Sequence, residues 1–236
     1  MKRLKKVTFT GVDEYTDVNR LVELQERYPY AEFGVLVSRN WAENGNRYPD
    51  PSSLERLQGR GLHLSLHLCG RVARESFKGN WGELTDLVWN EGATCMFDRI
   101  QLNLAAQNVD GKIKINGCPF DVDQFIIQQR SPDDCPLYRE NEDNPMTSML
   151  CDMSGGRGVF SETFALYNGL QGKMIGYAGG LDDSNVIRRL NQIEAENPAN
   201  WYWIDMESSL RRNDEDRFDL DTVERILKKI DKWMKS

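Results

Sequence analysis

Residues 62–69 read Leu-His-Leu-Ser-Leu-His-Leu-Cys, a strict alternation of apolar and polar side chains. Successive side chains of a β-strand point to opposite faces, so Leu62, Leu64, Leu66 and Leu68 share one face. His63, Ser65, His67 and Cys69 share the other. Two architectures put such a strand to use. One is an antiparallel sheet with a wet face. The other is a closed parallel barrel, with the leucines turned to a layer of helices and the polar groups turned into the lumen.

The flanking sequence favours the barrel. Short β-rich runs recur near 6–11, 31–38, 62–68, 98–104, 124–130, 148–153, 173–178 and 201–206, their starts 24 to 36 residues apart. That spacing suits strand–helix units and crossover connections. Asp17–Tyr28 opens on a carboxylate and carries Val18, Leu21, Val22 and Leu24 on one side. Ser52–Gln58 and Glu83–Asn90 read as short helices, and Ser184–Glu196 as a helix capped by Ser184. Leu220–Met234 is amphipathic, with lysines toward its end as the helix dipole favours. Asn108–Asp123 and Ser131–Pro145, rich in Asp, Asn, Gly and Pro, read as loops. The fold expected is α/β, a single (β/α)8 TIM barrel over 1–236. A chain of 236 residues suits one such barrel, or two small domains.

Bulk properties exclude some partners. A net charge of −7 and a pI of 5.1 oppose nucleic acid and anionic membrane. No apolar run is long enough to span a bilayer, and no apolar segment follows the basic start to make a signal peptide. The five scattered cysteines form no CxxC pair and read as free thiols in a reducing, cytoplasmic compartment. The oligomeric state is left open.

In this fold chemistry sits at the C-terminal strand ends. The same alternation turns Thr8 and Thr10 inward on the first strand and Arg99, Gln101 and Asn103 inward on the fourth. Arg130, Asp152, Asp205 and Glu207 also face in. Asp152 and Glu207 are placed to act as general acids. His67, Cys69 or Glu207 could supply a base, and Gln101, Asn103 and Arg130 could hold substrate. His63 reads as a lumen core residue below His67. The two histidines, four residues apart on a strand, lie roughly 13 Å from each other and cannot share a metal. No inferred strand ends in lysine, so Schiff-base chemistry is disfavoured. Neither metal nor cofactor is expected. Ser154-Gly155-Gly156-Arg157-Gly158 follows the sixth strand, and Gly179-Gly180-Leu181-Asp182-Asp183 the seventh. Glu207-Ser208-Ser209 ends the eighth. Glycines let backbone amides approach an anion, and these loops are where such barrels clamp phosphate. Arg157 could offset Asp182 and Asp183.

The order of these pieces resembles phosphoribosylanthranilate isomerase, of the ribulose-phosphate-binding barrels. The likeness is carried by Ile100-Gln101-Leu102, Leu150-Cys151-Asp152, Gly155–Gly158, Ala178-Gly179-Gly180-Leu181 with Asn185, and Ile204-Asp205-Met206-Glu207-Ser208-Ser209. Phe9-Thr10-Gly11 and Arg47-Tyr48-Pro49 match more loosely. The resemblance implies an Amadori-type aldose-to-ketose rearrangement of a phosphoribosyl amine. It makes Asp152 the general acid and Arg47 the anchor of the substrate carboxylate. It gives Gly156, Gly158, Gly179, Gly180 and Ser208 to the phosphate. The family's base is a cysteine at the end of strand one, where this chain has Thr10, whose hydroxyl is too weakly acidic for that part. Two readings follow: an isomerase-like enzyme acting on a phosphorylated small molecule, or a non-catalytic barrel that binds such a ligand.

Overall fold

The computed structural model describes residues 2–43, 45–88, 96–104, 109–129, 136–152, 154, 173–196, 200–212 and 215–236. Strands β1 (Leu4–Thr10), β2 (Ala31–Val37), β3 (Leu64–Leu68) and β4 (Arg99–Leu102) lead into β5 (Gln124–Gln129), β6 (Thr147–Asp152), β7 (Ile175–Ala178) and β8 (Tyr202–Met206). Each pairs in parallel with the next, and β8 pairs with β1 to close the barrel. All eight runs expected from the sequence are strands, shortened by a residue or two at some ends.

Helices α1 (Val18–Arg27), α2 (Gly70–Phe77), α3 (Gly82–Val88), α4 (Pro136–Arg139), α5 (Val186–Glu196) and α6 (Leu220–Met234) surround it. Asp17 caps α1 by accepting from the Asn19 and Arg20 amides, and Asp219 caps α6 through Asp221 and Thr222. Such a cap is worth ~1 kcal/mol. On α6, Leu220, Val223, Ile226, Leu227, Ile230 and Trp233 recur at helical spacing and are buried against the barrel.

Four details of the helices and loops differ from expectation. Residues 52–58 hold a 3-10 helix, Pro51–Leu57, rather than an α-helix. Helix α2 was not anticipated: it opens on Gly70 at φ +61° and Cys69 gives it no side-chain cap, so the usual start signals are missing. The loop read over 131–145 contains the one-turn α4, opened by Pro136 and seated on buried Leu137 and Tyr138. Ser184 does not cap α5. Asp182 does the work, accepting from the Ser184 and Asn185 amides and the Ser184 hydroxyl.

The leucines of β3 lie in the helix-facing core, as the alternation requires. The lumen is polar toward the strand N-termini. There buried Glu32 takes two hydrogen bonds from Arg99 and one from Thr8, with Lys6 at 3.1 Å. Burial opposes charge on Glu32, yet Arg99 and Lys6 hold its carboxyl down to about 2. Above this layer Ile126, Leu150 and Trp203 fill the centre, with the Arg99 guanidinium 4.6 Å over the indole ring. Gly176 makes room for that indole: a Cβ there would stand 2.3 Å from the ring. His63 is not a lumen core residue. It precedes β3, its side chain is 45% exposed, and Nδ1 lies 2.8 Å from Asp98.

Candidate functional site

A cavity of about 420 Å³ opens at the C-terminal ends of the strands. Arg47 and Tyr48 enter it from the loop after β2, Cys69 from the end of β3, and Gln101 and Asn103 from β4. Gln128 comes from β5, Asp152 and Ser154 from β6, and Asp205 and Glu207 from β8. The Gly179–Asp182 segment and the Ser208–Ser209 pair complete the wall. The alternation read in the sequence thus brings most of the anticipated groups to one mouth.

Asp152 accepts three hydrogen bonds: from Gln128 Nε2 at 2.8 Å, and from the amide and hydroxyl of Ser154 at 3.1 and 2.6 Å. Gly179, at φ +100°, lies against it, and a Cβ there would approach Oδ1 to 3.2 Å. Asp205 is buried and accepts from Thr10 Oγ1 at 2.7 Å. Burial pushes its carboxyl up to about 8, against the pull of the Thr10 bond, and the charges of Glu207 and Asp152 add to the rise. A carboxylic acid of this kind is protonated at neutral pH. Burial also raises Glu207, and Asp152 adds to that, while Arg47 at 3.0 Å opposes it.

Two anticipated bases are placed differently. His67 is buried below the cavity and does not line it. Nδ1 meets Gln101 Nε2 and Nε2 meets Ser65 Oγ, each at 3.1 Å, and burial lowers the imidazole to about 3. It is a neutral bridging group, with both ring nitrogens engaged. Cys69 does line the cavity, but burial pushes its thiol up to about 11 despite hydrogen bonds from Asn103 and Tyr48. It is therefore a thiol, not a thiolate, at neutral pH. Thr10 reaches the site through Asp205. Gly34 permits this, because a Cβ there would sit 2.4 Å from the Thr10 hydroxyl.

On the side where the sequence leads one to expect an anion, Gly179 and Gly180 follow β7 at φ +100° and +64°. Both conformations favour glycine. Asn185 Nδ2 donates to the Gly180 carbonyl, and the Ser209 hydroxyl to the Leu181 carbonyl, each at 2.8 Å, tying the two loops together. Asp182 spends its carboxylate on the turn into α5. Asp183 pairs with Arg225 at 3.3 Å and Lys229 at 2.7 Å on α6. Arg130, Gly156, Arg157 and Gly158 lie outside the described residues. Asp205, Tyr48 and Gln128 had no assigned role from the sequence. Alternation places Asp205 and Gln128 inward, but their hydrogen-bond partners come from other strands.

A closed ring of eight parallel strands, with a polar cavity at their C-terminal ends, is a (β/α)8 barrel. Among solved structures, the chain is similar to the phosphoribosyl anthranilate isomerase of Thermus thermophilus. The TM-score is 0.57 at 13% identity, over 97% of this chain and 99% of that one. It is also similar to the N-(5'-phosphoribosyl)anthranilate isomerase of Pyrococcus furiosus, with a TM-score of 0.53 at 14% identity, over 94% and 96%. At these identities the likeness is one of fold, a (β/α)8 barrel. No protein-family model matches the chain, and no curated protein matches it.

Proposed function

We propose that this barrel binds a phosphorylated sugar or similar small metabolite and moves protons on it, in an aldose-to-ketose isomerisation or a related step. The observation that carries the reading is the pairing of two carboxyl groups with opposed surroundings. Asp205 is buried and raised to about 8, whereas Asp152 accepts from three donors. Two carboxyls so divided suit an acid and a base. Asp205 gives a proton to the ring oxygen as the C1–O bond opens. The lone pair of the C1 nitrogen or hydroxyl closes the iminium or protonated aldehyde as that bond breaks. Asp152 takes the proton from C2 and returns it to C1, while the enol hydroxyl gives up its proton to Asp205 as the ketose carbonyl forms. This gives Asp152 a different part from the one resemblance implies, because the buried Asp205, raised to about 8, is the group that holds a proton to give.

The phosphate would sit at the Gly179–Gly180 turn and the Ser208–Ser209 pair, where backbone approaches without side-chain obstruction. Arg157 and the glycines beside it would join from the loop after β6. Absence of a transmembrane helix among the described residues and the reading of free thiols together support a cytoplasmic protein.

Asp205→Asn and Asp152→Asn test the chemistry. With a panel of phosphorylated aldoses and glycosylamines, each variant should lose ~10²–10⁴-fold in kcat with binding largely kept. A specific observation favours the second reading, a binding barrel without turnover: the Thr10 hydroxyl is committed to Asp205 and leaves strand one without a base. Ligand binding without turnover of any panel member would select it.

A further inference from the structure

Round the ring, β2 and β7 are three strands apart, and Arg47 and the Gly179–Gly180 turn line the same mouth. Among the described lining residues Arg47 is the only lysine or arginine, while Asp152, Asp182, Asp205 and Glu207 are acidic. Arg47 is already occupied. Its Nη1 lies 3.0 Å from Glu207 Oε1, and the two side chains are 34% and 28% exposed. Alternation along β8 places Glu207 one inward step beyond Asp205.

We propose that Glu207 sets the specificity of this cavity: by holding Arg47 it excludes a ligand carboxylate at that end and selects a head group that donates hydrogen bonds, a hydroxyl or an amine. A carboxylate that took Arg47 would strip Glu207 of its counter-charge in a cavity it shares with Asp152. An ion left unpaired in a partly desolvated site is costly, and the exchange gains no new pair. A hydroxyl or amine displaces nothing. It can donate to Glu207 while Gln101 and Asn103 supply neutral contacts nearby. The inference rests on the phosphate reading, which orients the ligand with its other end toward Arg47.

Three probes with one carbon chain and one phosphate separate these possibilities: ribitol 5-phosphate, 1-amino-1-deoxyribitol 5-phosphate and 5-phosphoribonate. They differ only at C1, which is a hydroxyl, an amine or a carboxylate. By calorimetric titration the wild-type protein should bind the first two at least ~10-fold tighter than the ribonate. Glu207→Gln frees Arg47 and should bring the ribonate to within about threefold of ribitol 5-phosphate. A ribonate bound as tightly as the others by the wild type overturns the proposal, as does a ratio unchanged in E207Q. If E207Q does not fold, Arg47→Gln carries the test. Glu207 is then unopposed and the discrimination widens, whereas a narrower gap overturns the proposal. Binding of none of the three probes overturns the phosphate reading, and this inference with it.

Discussion

Asp205 shows how a side chain on a regular strand acquires unusual chemistry. Its neighbours in sequence are Ile204 and Met206, both buried outward. Its working partners, Thr10, Asp152 and Glu207, meet it through barrel closure and through alternation along β8. Because its carboxyl is near 8 in the fold and near 3.8 ordinarily, the folded chain holds a proton that the unfolded chain has released between those values. Its contribution to stability is therefore full at low pH and declines as pH rises toward about 8. Asp205→Asn should remove that decline, which denaturant unfolding at about pH 5 and about pH 9 would reveal. Catalysis that needs the protonated acid should fall on the same alkaline side, and D205N should lack that limb. His67 marks the limit of sequence reading at this scale. Period-two alternation shows which way a side chain faces. Depth in the lumen depends on strand tilt and stagger, and those place His67 beneath the cavity beside Gln101.

At the scale of elements, the strands were legible because alternation and spacing agreed over the whole chain. Helices α1 and α6 were legible because an aspartate cap and an apolar stripe coincide in each. Helix α2 lacked both a capping side chain and a non-glycine start. The lumen glycines were invisible for another reason: what crowds Gly176 is Trp203, on a neighbouring strand. Gly176→Ala should destabilise by ~1–3 kcal/mol through overpacking, read from the shift in denaturant midpoint. The Glu32–Arg99 pair joins β2 to β4 across the lumen. Glu32→Gln leaves the Arg99 guanidinium buried beside a neutral amide and should cost about 3–5 kcal/mol, whereas E32Q with Arg99→Met should recover much of that. Since Arg99 and Lys6 hold Glu32 near 2, its share of stability is present above its ordinary value of 4.5 and is lost as pH falls toward 2.

For the molecule as a whole, closing eight parallel strands gathers residues from position 36 to position 209 around one mouth. The fold and the mouth could be read from local pattern, because each strand announces its own inward face. The division of labour at the mouth could not, because it rests on pairs such as Thr10 with Asp205 and Arg47 with Glu207, which only the closed ring brings together. The net charge of −7 and the acidic cavity make anion binding a demanding claim, since it must come from local backbone and the loops after β6, β7 and β8. The most direct test is thermal unfolding of the wild-type chain with ribose 5-phosphate and, separately, with ribose. The account predicts a melting temperature that rises with ribose 5-phosphate concentration, corresponding to ~2.7 kcal/mol at a hundredfold excess over Kd, no comparable rise with ribose, and loss of the effect in Gly180→Asp. No rise at millimolar ribose 5-phosphate, or an equal rise with ribose, would contradict it.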